Sequence, residues 1–148
     1  MRYLDSDAFQ RLYPEAHRKW AEAAELLWSS DSQQQLTTIG HLCREATQEF
    51  ATALVERHQP PGVDQDKSRD INRIQAVVDQ RRSQLGTTAA LLDALVSYRR
   101  VVSGSVQRQE HGAQKEGRPL VWEDGRRVVF QTAIIMFEVD RMLGFAKN

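Results

Sequence analysis

Arg108, Glu110 and His111 place a guanidinium, a carboxylate and an imidazole within a few residues of each other. An imidazole can move a proton to or from a hydroxyl or a leaving oxygen, and a guanidinium can hold a phosphate as negative charge develops on it. Because RNA carries its own nucleophile in the 2′-hydroxyl, such cleavage needs no metal. Arg108 and His111 are therefore candidate catalytic residues, and Glu110 is a candidate for orienting a partner group. The same residues are also typical of a helix end, where His111 complements the helix dipole and Gly112 supplies a left-handed turn.

Basic side chains on both sides of this segment are candidate phosphate-binding residues, namely Arg99, Arg100, Lys115 and Arg118. They are a local feature, because 20 Lys and Arg residues balance 20 Asp and Glu residues in the whole chain. A protein with zero net charge does not coat nucleic acid or an anionic membrane through bulk charge. The balance is compatible with a small local site for a phosphodiester.

Other kinds of active site have little support in the sequence. His41 and Glu45 lie four residues apart, but the Glu-x-x-His pairs that hold di-iron centres in helical bundles are absent. We interpret His41 as a structural or solvated histidine, and Cys43, which has no second cysteine near it, as a small core residue. The glycine-rich loops that cradle nucleotide phosphates are absent as well. The sequence thus predicts neither a metal nor a cofactor.

Most intervals between the few prolines and glycines have helical periodicity. A first helix is expected around Pro14, and its apolar face consists of Trp20, Ala24, Leu27 and Trp28. A second helix of about seven turns is expected from apolar residues that recur every three or four positions. These residues are Ile39, Leu42, Ala46, Phe50, Ala53 and Leu54. The Gln-Pro-Pro-Gly sequence at 59–62 ends this helix.

The second half of the chain leaves two alternatives open. Residues 64–106 form either one helix that is kinked at Gly86 or two helices that meet there.

The last run, from about Asp124 to Leu143, is apolar on more than one face. Such a helix is either central in a bundle or shared between the core and a partner chain. The residues that we expect at such an interface are Phe130, Ile134 and Phe137.

The pattern as a whole predicts an all-α fold, because no segment alternates with a period of two for long enough to form a strand. With 148 residues, of which 41% are hydrophobic, the chain can bury one core. We therefore expect residues 1–148 to form a single domain, an up-and-down bundle of four to five helices. One cysteine, acidic residues near the N-terminus and the lack of an apolar run of about 18 residues predict a cytoplasmic protein without a membrane segment.

Two stretches of the sequence resemble known helical domains. The stretch 39–54, which begins Ile-Gly-His-Leu-Cys-Arg-Glu-Ala, resembles an early helix in domains of bacterial abortive-infection proteins. The stretch 108–143 combines a polar segment with Arg and His-Gly, an acidic helix start at Glu123 and a long apolar last helix. It resembles the C-terminal part of HEPN domains, which are helical bundles common in toxin–antitoxin, CRISPR-associated and phage-defence systems. The resemblance implies an HEPN-like bundle.

The resemblance also implies an activity, which is metal-independent RNA cleavage at a site that forms where two protomers meet. Arg108 would take the place of the family's arginine, Gln109 that of the polar residue after it, and His111 that of the histidine. In the family the arginine and the histidine are further apart than they are here. Many members keep the fold without these residues and act as binding or scaffolding modules.

Two hypotheses about function follow. The first is a component of a bacterial anti-phage defence or toxin–antitoxin system that cleaves RNA as a homodimer. The second is a non-catalytic helical interaction or scaffolding module of such a system, whose partner is another protein, an antitoxin or a second copy of the chain. A third and more distant hypothesis is a small regulator that senses a ligand in the core of the bundle, for which the sequence indicates no pocket residue.

Overall fold

Every regular element in the described part of the chain is an α-helix. The structure is a computed structural model that describes residues 7–29, 33–110 and 119–145, without the side chains of 33, 102–110 and 145. The helices in these ranges are α1 (Asp7–Leu12), α2 (Pro14–Ser29), α3 (Gln33–His58), α4 (Asp70–Gln80), α5 (Arg82–Leu85), α6 (Thr88–Glu110) and α7 (Trp122–Phe145). Because the described ranges contain no strand, the predicted all-α class is confirmed. None of these helices is long and apolar enough to span a bilayer.

Short breaks raise the number of helices above the expected four to five. Tyr13 separates α1 from α2, since the ring of Pro14 disfavours helical backbone at the residue before it. Arg81 separates α4 from α5. Gly86 ends α5 with φ +58° and ψ −130°, a conformation that favours glycine. Of the two alternatives for residues 64–106, the division at Gly86 is confirmed, but the part before Gly86 consists of α4 and α5 rather than of one helix.

Hydrogen bonds between distant residues define the direction of the long helices. The indole nitrogen of Trp20 donates to the carbonyl of Val129 at 3.0 Å, and that of Trp122 donates to the carbonyl of Leu27 at 2.8 Å. Contacts that run in opposite order along the two helices mean that α2 and α7 are antiparallel. The last helix therefore packs against the first long helix.

One helix departs from a simple up-and-down order. Arg73 of α4 bonds to Thr52 of α3, and Arg81 just after α4 bonds to His58 at the end of α3. These contacts run in the same order along both helices, so α4 lies beside α3 in the same direction. The connection 59–69 must therefore return along the bundle, and it is longer than a tight inter-helix turn.

The centre of the fold is α3, which contacts α2, α4, α6 and α7. Its predicted apolar face is buried, with Ile39, Ala46, Phe50 and Leu54 fully enclosed, whereas Ala53 is half-buried. The rings of Phe9 and Tyr13 pack on Phe50, with the Tyr13 and Phe50 centroids 4.7 Å apart. Because α3 fills the centre, α7 is not the central helix, and one side of it faces outward.

We expect that Gly86→Ala destabilises the protein by about 1–3 kcal/mol, because an L side chain is strained at this positive φ although nothing lies within 4 Å of the added Cβ. The matched control is Gly144→Ala, which lies in α7 with equally open surroundings and no positive φ. There we expect a gain of about 0.5–1 kcal/mol, since alanine is the better helix former. Urea unfolding of both variants measures the difference, and equal effects at the two positions contradict it.

Candidate functional site

The structure describes only part of the segment that carries the candidate catalytic residues. Helix α6 continues to Glu110, so Arg108 and Glu110 lie on its last turn. Their side chains, together with His111, Lys115 and Arg118, lie outside the described residues. The roles assigned to these five residues therefore remain predictions.

Arg99 lies in the core rather than on the surface, where phosphate binding would require it. Its side chain is 5% exposed, and its Nη2 donates to Oδ2 of the buried Asp70 at 3.1 Å. The other oxygen of Asp70 accepts a hydrogen bond from the backbone nitrogen of Ile71. This ion pair joins α6 to the start of α4. Its neighbour Arg100 is exposed, since consecutive residues point to different sides of a helix.

A second buried polar group joins the beginning of the bundle to its last helix. The hydroxyl of Tyr13 donates to Oδ1 of Asp140 at 2.9 Å and accepts a hydrogen bond from Nη1 of Arg57 at 3.0 Å. Burial and the neighbouring Asp140 carboxylate raise the pKa of Tyr13 above its ordinary value, although Arg57 acts in the opposite direction. The hydroxyl therefore stays protonated. Sequence patterns gave no signal for this group, because its three members are far apart in the chain.

Cys43 is a core residue, as its sequence context indicates. The side chain is fully enclosed, and burial raises the pKa of its thiol to about 12, against weaker opposite effects of Thr132 and Arg99. A thiol with this pKa is protonated at neutral pH, and it is not the activated thiolate that nucleophilic catalysis requires. Its buried neighbour Thr47 bonds back to the carbonyl of Cys43 at 3.1 Å.

The two histidines of α3 have different surroundings. His41 is exposed on the surface of the helix. His58 is buried, and Nη2 of Arg81 lies 3.0 Å from its Nδ1. Because a guanidinium only donates, this contact makes Nδ1 the acceptor. Among the described residues, no group of three or more His, Cys, Asp and Glu side chains is arranged to hold a metal ion.

The outward side of α7 carries large apolar side chains. Phe130 is 42% exposed and Ile134, one turn later, is 40% exposed. Phe137 is half-buried on the same side. The guanidinium of Arg126 lies 5.6 Å from the centroid of the Phe130 ring, and that of Arg141 lies 5.8 Å from the Phe137 ring. The three expected interface residues thus lie together on one surface, an apolar strip bordered by charged residues.

A smaller aromatic pair lies where α2 ends and α7 begins. The Trp28 ring is 71% exposed, and its centroid lies 5.7 Å from that of Trp122. Trp28 therefore does not share the buried face of α2, contrary to the sequence-based expectation. The buried positions of that helix are Ala16, Trp20, Ala23 and Leu27.

We expect that Asp70→Ala lowers the free energy of unfolding by about 3–5 kcal/mol, because it removes the carboxylate from a buried ion pair and leaves the Arg99 charge in the core. The matched control is Glu15→Ala, which removes the acid of the exposed pair with Arg18 and should change the stability only slightly, because water screens that pair. Chemical denaturation of the two variants and the unmodified protein measures both values. A loss at Asp70 as small as that at Glu15 would show that the ion pair contributes little.

Comparison of the chain with protein-family models, with curated proteins and with solved structures finds no match. What the protein does must therefore be inferred from its own residues. Two features bear on it, namely the outward surface of α7 and the segment from Arg108 to His111, which begins on the last turn of α6.

Proposed function

We propose that this protein is a helical interaction module that forms a homodimer through the outward surface of α7, as a component of a bacterial anti-phage defence or toxin–antitoxin system. The observation that carries the proposal is the exposure of Phe130 and Ile134 one turn apart on a helix that is otherwise anchored in the core. Side chains of this size and polarity are stabilised when they leave water, by about 25 cal/mol for each Å² of apolar surface buried.

The surroundings of the apolar strip support this proposal. Arg126 and Arg141 lie beside its two aromatic rings, and Glu123 bonds to Arg126 at 2.9 Å. An apolar centre with a charged and polar border is the usual composition of a protein–protein interface. An isolated exposed apolar residue needs no explanation, but adjacent ones on one helix side are typical of a contact surface.

The assignment to a defence or toxin–antitoxin system depends on the resemblance of stretches 39–54 and 108–143 to abortive-infection and HEPN domains. The structure is compatible with this resemblance in one respect. Helix α3, which contains the first stretch, contacts both α6 and α7, which contain most of the second. The two stretches therefore belong to one bundle.

A second candidate function is metal-independent cleavage of RNA. The observation that favours it is the continuation of α6 through Glu110, which puts Arg108 on the last helical turn directly before His111. In this proposal Arg108 binds the phosphate, His111 acts as general acid or base, and Glu110 orients a partner group. The solvent-exposed Arg100 and, later in the chain, Lys115 and Arg118 bind further phosphates along the strand.

We expect wild-type protein to have the mass of a dimer in light scattering, and Phe130→Glu to have that of a monomer, because the variant loses the apolar contact and would have to desolvate a carboxylate in the middle of the interface. Leu91→Glu is the matched control, since Leu91 is 51% exposed on α6 and its replacement should leave the mass unchanged. Circular dichroism establishes that the variants are folded. Ile134→Glu repeats the test if Phe130→Glu does not fold. A monomeric wild-type protein refutes the proposal.

For the second candidate, we expect the protein to cleave RNA in the presence of excess chelator and His111→Ala to lose at least about a hundredfold of the rate. The folded variant His41→Ala is the control, because His41 is exposed on α3, outside the Arg108–His111 segment. Gel analysis of total RNA measures the rates. If none of the three proteins cleaves RNA, the second candidate function is contradicted and the interaction module remains the proposal. If cleavage stops when chelator is added, the reaction depends on a metal.

A further inference from the structure

The charged residues on the outward side of α7 follow a symmetric order. Along the exposed stripe of the helix, one acid and one base precede the apolar pair, and one acid and one base follow it. In chain order the stripe consists of Glu123, Arg127, Phe130, Ile134, Glu138 and Arg141. All are exposed except Glu138, which is half-buried. Helical spacing puts the six within about a quarter of the circumference of α7.

We propose that the two α7 helices of the dimer pack antiparallel, with Glu123 facing Arg141 of the partner subunit and Arg127 facing Glu138 of the partner subunit. This inference rests on the proposed homodimer and specifies its geometry. Two antiparallel helices related by a two-fold axis pair each residue with the one at the same distance on the other side of the axis. The midpoint between 123 and 141 falls at 132, and that between 127 and 138 falls between 132 and 133. A single two-fold axis near residue 132 is therefore compatible with both charge pairs.

The same two-fold axis also passes through the apolar centre of the stripe. The midpoint between Phe130 and Ile134 again falls at 132, so each Phe130 ring meets Ile134 of the partner subunit. Phe137 lies on the same flank of the helix as Phe130, so its ring borders the contact. The apolar contact lies in the middle and the ion pairs lie towards its ends, where they remain open to solvent.

The parallel arrangement of the two helices is unfavourable for the same residues. A two-fold axis along the helix direction would pair each residue with its own copy, so that Glu123 would face Glu123 and Arg127 would face Arg127. Every charged position of the stripe would then meet a like charge, which weakens association. The order of charges thus selects the antiparallel dimer.

The contacts of Arg127 and Glu123 within one chain leave these two charges able to pair with a second copy. Arg127 lies 3.7 Å from Asp124, and both Arg127 and Glu123 are half exposed in that chain. Exposed ion pairs of this kind contribute little to stability, because water solvates both partners. At Arg127 and Glu123, engagement with a second subunit therefore does not require the loss of a strong interaction within the first.

Charge reversal tests the orientation. At low ionic strength Arg127→Glu and Glu138→Arg should each raise the dimer dissociation constant about tenfold, because each creates two like-charge contacts across the axis. The double variant Arg127→Glu/Glu138→Arg should restore the wild-type value. The matched control reverses an exposed charge on α2, Glu22→Arg, and should leave the constant unchanged. Sedimentation equilibrium measures the constants.

The outcomes separate the orientation from the homodimer itself. If the protein dimerises but the double variant does not recover, the antiparallel pairing is wrong while the homodimer stands. If no dimer forms, the proposed function fails first. A direct distance gives an independent check: spin labels at Val121→Cys, in a Cys43→Ala background, should be more than about 30 Å apart, since about 11 residues separate each from the axis at 1.5 Å per residue. A separation near 10 Å, the distance between packed helices, shows a parallel dimer.

Discussion

Helix α3 must accept four other helices along most of its circumference, and this requirement governs the rest of the structure. Small buried side chains at Cys43, Ala46, Thr47 and Ala51 keep its surface narrow enough for close approach. Packed helix axes lie about 8–10 Å apart, and small side chains at the contact allow the shorter distances. Because α3 occupies the centre of the bundle, α7 packs with only one side against the core. The apolar residues on its other side, Phe130 and Ile134, stay exposed.

Buried charges determine how the outer helices are aligned with each other. Asp70 and Arg99 meet between α4 and α6, and the Tyr13 hydroxyl meets Asp140 next to α7. A shift of either contact by one helical turn, about 5.4 Å, would leave charged groups in the core without these partners. Apolar packing alone tolerates several alignments. The polar contacts favour one alignment, in which Asp140 faces the core and Phe130 faces outward.

The sequence predicted the helices and the main break better than it predicted the surface. Periodicity and Gly86 were enough for the helical class, for the long α3 and α7 and for the division of residues 64–106, because these depend on local backbone preferences. The place of Arg99 in the core and of Trp28 on the surface depends on which partner helix lies opposite, which no local pattern contains. The position of Phe130 on an outward surface could be predicted, because α7 has more apolar residues than one face can bury. The catalytic assignment of His111 stays a prediction.

The pairing of α2 with α7 has a consequence for synthesis on the ribosome. The Tyr13 hydroxyl and the Trp20 indole find their acceptors on residues that are more than a hundred positions later in the chain. Until α7 has left the exit tunnel, the inner side of α2 lacks its last apolar neighbour and these donors lack their protein acceptors. Long-range contacts of this kind slow folding, and incomplete chains expose apolar surface. The nascent protein therefore completes its fold only after translation has passed the last helix.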